Sequence, residues 1–241
     1  MPDAQSRQSK AGLSVPSHAG NSGSRISCLN STSMSGAGDH MDRETELTRQ
    51  RYNRTSLLYD WMDRMIKPDL RAKVLRQAYG RVLEVGVGTG KNLAYYSPRC
   101  SEVVGIDLSP GMLAKARRRV NEAKVSVTLY EMDAQHLEFF DASFDTVVAT
   151  CVFCSIPDPI KGLNEIRRVC KPGGAVILLE HVRSDNPLLG KLMDILDPLI
   201  VRAMGPHINR RTVENVRAAG LRIRSVEEQK IKILKLITAE P

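Results

Sequence analysis

Three glycines alternate along Val82-Leu83-Glu84-Val85-Gly86-Val87-Gly88-Thr89-Gly90, where an apolar strand gives way to a turn and then a helix. Glycine accepts positive φ and lets a ligand approach the backbone closely, and the start of a helix offers it free N–H groups. Asp107 ends the next apolar run, 17 residues after Gly90. A carboxylate there can accept hydrogen bonds from both hydroxyls of a ribose. Together they predict a nucleoside site at the carboxyl end of the first strand of a doubly wound sheet. The G-x-G-x-G spacing departs from the G-x-G-x-x-G of dinucleotide folds, whose helix faces a pyrophosphate. That difference speaks against a nicotinamide oxidoreductase.

The elements that must position these residues alternate in type. Strands are expected at 81–86, 102–107, 125–132, 144–150 and 175–181, with helices at 91–96, 110–121 and 159–170 between them. Two more β-rich stretches, 221–227 and 231–238, close the chain. Strands rich in Val, Ile and Leu alternating with amphipathic helices predict an α/β fold, Rossmann-like and doubly wound, with helices on both faces of a mostly parallel sheet. Ahead of it, residues 44–78 carry Leu47, Tyr52, Leu57, Leu58, Trp61, Met62, Met65 and Ile66 at helical spacing, broken by Pro68. This reads as a helical cap over 41–80 preceding a domain over 81–241.

Residues 1–40 hold ten serines, five glycines, no aromatic residue and two acids, Asp3 and Asp39. Such a segment cannot bury enough apolar surface to offset its ordering entropy, so a disordered tail is expected, with Met41 as an alternative start. Its acid-poor make-up also resembles an organelle transit peptide, but it lacks an amphipathic arginine face. The chain has 241 residues, 42% hydrophobic and 26% charged, which fits a soluble α/β domain and excludes a collagen-like repeat or a multi-span membrane protein. Five cysteines are present, and Cys151-x-x-Cys154 has no second pair or His pair nearby, so neither zinc nor a disulfide framework is expected. A net charge of +8 leaves room for an anionic partner.

The stretches Glu84-Val-Gly-Val-Gly-Thr-Gly90, Val104-Gly-Ile-Asp107-Leu-Ser-Pro-Gly-Met112, Met132-Asp133-Ala134, Ser143-Phe-Asp145 and Glu165-Ile-Arg-Arg-Val-Cys-Lys-Pro-Gly-Gly174 resemble, in order and spacing, the motifs of class I S-adenosylmethionine-dependent methyltransferases. The resemblance runs from about residue 50 to the C-terminus. It implies a seven-stranded sheet with the last strand antiparallel beside the fifth, and S-adenosylmethionine as methyl donor. It further implies that Gly86, Gly88 and Gly90 pack against the methionine and ribose portions, with Glu84 toward the amino group. Asp107 would hold the ribose hydroxyls, Leu108 and Met112 would flank the adenine, and Asp133 and the Ala134 N–H would meet its edge. Thr150 and Cys151 would meet the methionine portion. Phe140 stands where the family usually has proline.

Methyl transfer from a sulfonium is an in-line displacement, so the protein must mainly align the acceptor and exclude water. A base is needed only where the acceptor must lose a proton. His181 is a candidate base, with strand capping as its bland alternative. Tyr52 and Tyr59 are candidates to close over the cofactor. Cys154, His207 and Arg210 are candidates to line an acceptor pocket, and Cys151 and Cys154 read as packing residues rather than nucleophiles. An apolar insertion at 185–211 holds Leu188, Leu192, Leu196 and Leu199 on one helical face, interrupted at Pro198, and Thr212 is a candidate cap for the next helix. Core packing, a lid over a lipophilic acceptor and a contact with a membrane surface all remain open for that face.

Within the family, Thr150-Cys-Val-Phe-Cys-Ser155, Lys171-Pro-Gly-Gly174 and Leu179-Glu-His181-Val look most like the methyltransferase-like 7 branch, which methylates small lipophilic thiols. The shared frame also resembles bacterial phospholipid N-methyltransferases and ubiquinone/menaquinone C-methyltransferases. The resemblance implies a small lipophilic acceptor: a thiol, a phospholipid amine or a quinone. A cytoplasmic or membrane-peripheral enzyme is the expectation. Alternatives are a nucleic-acid or protein methyltransferase and a non-catalytic S-adenosylmethionine-binding partner protein. The chain has no Asn/Asp-Pro-Pro-aromatic tetrad and only 5% aromatic residues, so no nucleic-acid partner is expected.

Overall fold

The computed structural model describes residues 43–54, 66–229 and 232–241. The readings of residues 1–40, of Met41 and of Tyr59 lie outside them, as does the side chain of Tyr52. Helix α1 (Arg43–Arg54) precedes α2 (Pro68–Leu75), whose first residue is the proline that ended the helical run. Proline suits that place because the first helical N–H has no intrahelical partner. The chain then forms β1 (Gly80–Val85), β2 (Cys100–Asp107), α3 (Pro110–Arg119), β3 (Ser126–Glu131) and β4 (Phe144–Thr150). It continues through α4 (Pro159–Val169), β5 (Cys170–His181), α5 (Pro187–Met204), α6 (Thr212–Ala218), β6 (Arg222–Glu228) and β7 (Leu234–Glu240).

The seven strands stand in the order β3-β2-β1-β4-β5-β7-β6, with β7 antiparallel to both its neighbours. Successive residues of each strand serve opposite faces, as the pleat requires. Leu83, Val104, Val147 and Leu178 join the layer that includes Leu163 and Ile166 of α4 and Val216 of α6. Val82, Val103, Val148 and Ile177 join the layer that includes Val74 of α2 and Leu113 of α3. The chain leaves β1 toward β2 and β3, then returns to place β4 on the other side of β1. Ligands of doubly wound sheets bind at this reversal, outside the carboxyl ends of the strands.

Three local readings differ from the structure. The helix expected at 91–96 is one 3-10 turn, Leu93–Tyr95, because Asn92 and Tyr96 turn their side chains inward to bond Glu84. Helix α5 runs through Pro198 without interruption, at the cost of one backbone hydrogen bond. Thr212 makes no capping bond; it is the first residue of α6, and its hydroxyl is buried without a partner among the described residues.

Helix α5 also answers which way its apolar stripe points. Met193 and Asp197 are buried against the protein, and Gly190 lies against the Arg183 guanidinium where a side chain would collide. Leu188 (82% exposed), Ile195 (68%) and Leu199 (67%) face outward, with Leu192 and Leu196 beside them. Core packing is therefore overturned as an account of these leucines: the helix is fastened by the opposite face, through Gly190, Met193 and Asp197.

Two buried glutamates pin the loops at the carboxyl end of the sheet. Cys151, just past β4, has φ of 53°, an uncommon conformation for a residue with a side chain. The turn persists because the Glu180 carboxylate accepts the N–H groups of Val152 at 2.9 Å and Phe153 at 3.2 Å. Glu84 of β1 is buried likewise and accepts from Asn92 at 2.7 Å and Tyr96 at 2.9 Å. Burial holds both carboxyls at about 7 instead of the ordinary 4.5, even though their hydrogen bonds pull the other way.

The folded chain thus keeps protons on both groups between about pH 4.5 and 7, where the unfolded chain releases them. Stability from this pair is expected to fall as pH rises through that window and to level above it, which thermal melts across the window would check. Glu180→Gln replaces one acceptor oxygen with a donor facing backbone N–H groups. It should cost about 1–3 kcal/mol by denaturant titration and flatten part of that slope.

Candidate functional site

The glycine turn leaves β1 at the switch point. Gly86 has φ of +65°, and a Cβ there would lie 2.5 Å from Val152 of the β4 loop. Gly90 has φ of +79°, and a Cβ there would lie 2.9 Å from the backbone of Ala116 in α3. The first glycine lets the two loops approach, and the last lets α3 close behind the turn. Asp107 braces the turn from β2. Its Oδ2 accepts the Gly88 N–H at 2.8 Å and its Oδ1 the Ser109 N–H at 2.9 Å. Burial nevertheless raises its carboxyl to about 6. Ser109 in turn caps α3 by accepting the Met112 N–H at 3.2 Å, which fixes Leu108 and Met112 on the wall beside Asp107.

Eight of the residues singled out in the sequence line one cleft: Gly86, Gly88, Asp107, Leu108, Met112, Asp133, Ala134 and Cys151. Glu84 and Thr150 line a small adjoining recess with Gly86 and Thr89. Gly90 lines neither; its place is the contact with α3. Arg71 and Asn92 extend the bonding around Glu84, since Arg71 donates to Asn92 Oδ1 and Asn92 donates to Thr150 at 3.2 Å. Sequence reading passed over Arg71, Asn92 and Tyr96, which sit in segments read as helix; a polar residue at an inward helical position was the available signal.

The cleft has an apolar wall of Ile106, Met112, Met132 and Ile156 and a polar rim. Gln135 organises the rim. It donates to Thr45 of α1 at 3.2 Å and to Asp133, and it accepts the Asp158 N–H at 3.0 Å. Thr48 and Arg49 bring α1 to the cleft edge, where Arg49 pairs with Glu131 at 2.6 Å. Of the cap predicted at 41–80, Thr48 and Arg49 reach this cleft and Arg71 reaches the adjoining recess. Of the buried polar atoms with no hydrogen-bond partner among the described residues, two belong to residues lining this cleft and its recess: Arg49 Nε on the rim and the Thr89 hydroxyl in the recess. Such atoms are costly unless something else satisfies them.

The residues expected on the acceptor side fall behind the wall and not on it. Cys154 is buried, its thiol pushed up to about 12, first by burial and then by nearby Glu180. The His207 N–H donates to the Cys154 carbonyl at 2.8 Å, and its ring bonds Asp197 at 2.8 Å. Arg210 donates to the Ile156 carbonyl at 2.9 Å. The three are therefore together, supporting Ser155, Ile156 and Pro157, which do line the cleft. His181 is not among the cleft-lining residues; it follows Glu180 on β5 and so points to the opposite face. Its ring is held below the usual value by burial.

Comparison with known proteins gives the arrangement a family. Residues 83–178 match a family model described as a methyltransferase domain. The chain is 47% identical over 109 residues to a phosphatidylethanolamine N-methyltransferase of Cereibacter sphaeroides, a match covering 44% of this chain and 53% of that protein. The chain thus spans little more than half the length of that relative. It is 30% identical over 165 residues to a ubiquinone/menaquinone biosynthesis C-methyltransferase of a Geobacter species, covering 63% of this chain and 70% of the relative. Among solved structures, the cyclase SpnF superposes with a TM-score of 0.60 at 23% identity, over 74% of this chain and 80% of that one, a likeness of fold alone. A match of the extent seen in the quinone-pathway relative, on a chain whose glycine turn and Asp107 converge at the switch point of this sheet, means that the protein belongs to the class I S-adenosylmethionine-dependent methyltransferases.

Proposed function

We propose that the protein transfers a methyl group to a small lipophilic acceptor, a phospholipid amine or a quinone before a thiol. The reading rests on the convergence in one cleft of Gly86, Gly88, Asp107, Met112, Asp133 and Ala134. S-adenosylmethionine suits this donor set. Asp107 supplies acceptor oxygens for ribose hydroxyls, Met112 and Leu108 an apolar wall for a base, and Asp133 an acceptor for its amino group. The unpaired Thr89 hydroxyl and Arg49 Nε lie in the recess and on the rim, where a ligand's polar ends would meet them. When bound, the donor supplies an activated methyl on a neutral leaving group, and no metal is called for.

The chain's own residues have three tasks. Glu84, fixed by Asn92 and Tyr96, offers acceptor oxygens toward an ammonium in the recess. Cys151, Ser155, Ile156 and Pro157 form the wall facing an acceptor, and the Glu180 carboxylate holds that wall's backbone in place. Thr48 and Arg49 of α1 narrow the opening and help to exclude water. An amine acceptor reaching the cleft unprotonated attacks without a base, which fits a cleft that His181 does not line.

The outward leucines of α5, flanked by Lys191 and Arg202, support a peripheral contact between this helix and a lipid surface. Among the described residues no helix is long and apolar enough to cross a membrane. The positive chain fits an acidic surface.

Incubation with methyl-labelled S-adenosylmethionine and a cell extract should place label in the organic fraction, with Asp107→Ala as the blank. Label confined to protein or nucleic acid would overturn the acceptor class, and label in a volatile thioether would select a thiol. Calorimetry with S-adenosylhomocysteine should show Asp107→Ala binding at least about tenfold more weakly, the loss expected for hydrogen bonds to a charged group. Wild-type affinity should fall as pH drops through about 6, because protonated Asp107 loses acceptor capacity. Asp107→Asn should remove that dependence. Leu192→Glu with Leu199→Glu should reduce sedimentation with phosphatidylglycerol vesicles while leaving S-adenosylhomocysteine binding unchanged.

A further inference from the structure

A second cleft opens where the chain leaves β5. Its volume is about 440 Å³, inside the range of small-molecule sites, about 300–1,000 Å³. Unlike the first, it is polar and dominated by cations. Arg183, Arg210, Arg211, Arg217 and Lys235 line it, against the carboxylates of Asp185 and Glu214.

The five cations are not equally committed. Arg183 is held by Asp194 of α5, with Nη2 at 2.8 Å and Nε at 3.0 Å. Lys235 is held by Asp185 at 2.6 Å, with Glu228 further off at 3.7 Å. Arg210 donates from one end to the Ile156 carbonyl, while its Nε is buried without a partner among the described residues. Burial lowers its proton affinity from the usual arginine value, so its positive charge is poorly solvated where it stands. Arg211 and Arg217 make no ion pair and no side-chain hydrogen bond among the described residues. Glu214 lies three positions from each, on the helix that Arg211 precedes and that carries Arg217, yet it is within ion-pair distance of neither. Asp185 is already engaged by Lys235.

Arg211 and Arg217 thus stand with Arg183 and Lys235 on one concave surface and have no ion pair of their own among the described residues. Like charges gathered in this way repel, and a ligand that neutralises them gains what the protein does not supply itself. The planar fork of arginine matches the oxygens of a phosphate with two parallel hydrogen bonds, and several forks can engage one phosphate from different sides. A carboxylate would satisfy only one fork in that way. The volume also leaves room for an organic substituent on the phosphate.

We propose that this cleft binds a phosphate ester group, carried either by a lipid headgroup or by a free metabolite. The site is separate from the donor cleft but adjoins it through Arg210, whose guanidinium reaches the carbonyl of Ile156 on the donor cleft's wall. It also adjoins α5, since Arg183 bonds Asp194 of that helix. The inference stands on the second cleft alone and does not depend on methyl transfer.

The test uses the full chain and two probes, inorganic phosphate by calorimetry and phosphatidylglycerol vesicles by sedimentation. Arg211→Glu with Arg217→Glu is expected to weaken binding at least about tenfold, the effect of losing charge-assisted hydrogen bonds. Arg211→Lys with Arg217→Lys should recover most of it. Both residues are exposed, and S-adenosylhomocysteine binding by each variant should equal wild type, which separates failure of this site from failure of the donor assignment. Saturable phosphate binding without vesicle binding would identify a free ester as the source. Vesicle binding that depends on these arginines, without binding of inorganic phosphate, would identify a lipid headgroup. Wild-type protein that binds neither probe, or a charge-reversed variant that binds as wild type does, overturns the proposal.

Discussion

A carboxylate taken out of water must find donors, and the carboxyl edge of this sheet is organised around three that do. Glu84, Asp107 and Glu180 end or nearly end β1, β2 and β5. Each reaches across a strand gap to hold a neighbouring segment: Asn92 and Tyr96 for the first, the Gly88 N–H for the second, the Val152 and Phe153 N–H groups for the third. None of the segments held has regular structure long enough to define its own path. The sheet is rigid because its strands are packed on both faces, and the carboxylates export that rigidity to the loops where a ligand must be positioned. The cost is visible in the upward displacement of all three carboxyls by burial.

What the sequence discloses follows from how local the cause is. The glycine turn was legible because conformation and close approach are demanded of single residues, and only glycine meets both. Phe144–Thr150 was legible to the residue because a central strand is a short apolar run bounded by polar turns. The role of Glu180 was hidden, since it depends on β5 lying beside β4 and on the backbone of Cys151, neither of which is written near residue 180. Asn92 and Tyr96 were hidden by a helical reading that their inward bonds to Glu84 override. The direction of the α5 stripe was hidden for a different reason. Periodicity tells that Leu188, Leu192 and Leu199 share a face, but the partner of that face is a property of the assembled protein.

The same molecule also separates what a family match conveys from what it leaves open. The motifs shared with the methyltransferase relatives lie mostly between β1 and β5, within the matched span 83–178. Helix α1, which reaches the cleft edge through Thr48 and Arg49, and the insertion carrying α5 lie outside it. Relatives whose names specify attack by nitrogen and by carbon match that same frame. The cleft is therefore assembled from two regions, the sheet with its carboxyl-edge loops and the helix α1 that precedes it.

Gln135 ties those regions together. One side chain bonds Thr45 of α1, Asp133 on the cleft rim and the N–H of Asp158 ahead of α4. Movement of α1 away from the cleft breaks the contact with Thr45 and the exposed pair between Arg49 and Glu131, each worth about 1 kcal/mol. A helix held over the cleft edge by so little can shift without the sheet or its carboxylates having to yield.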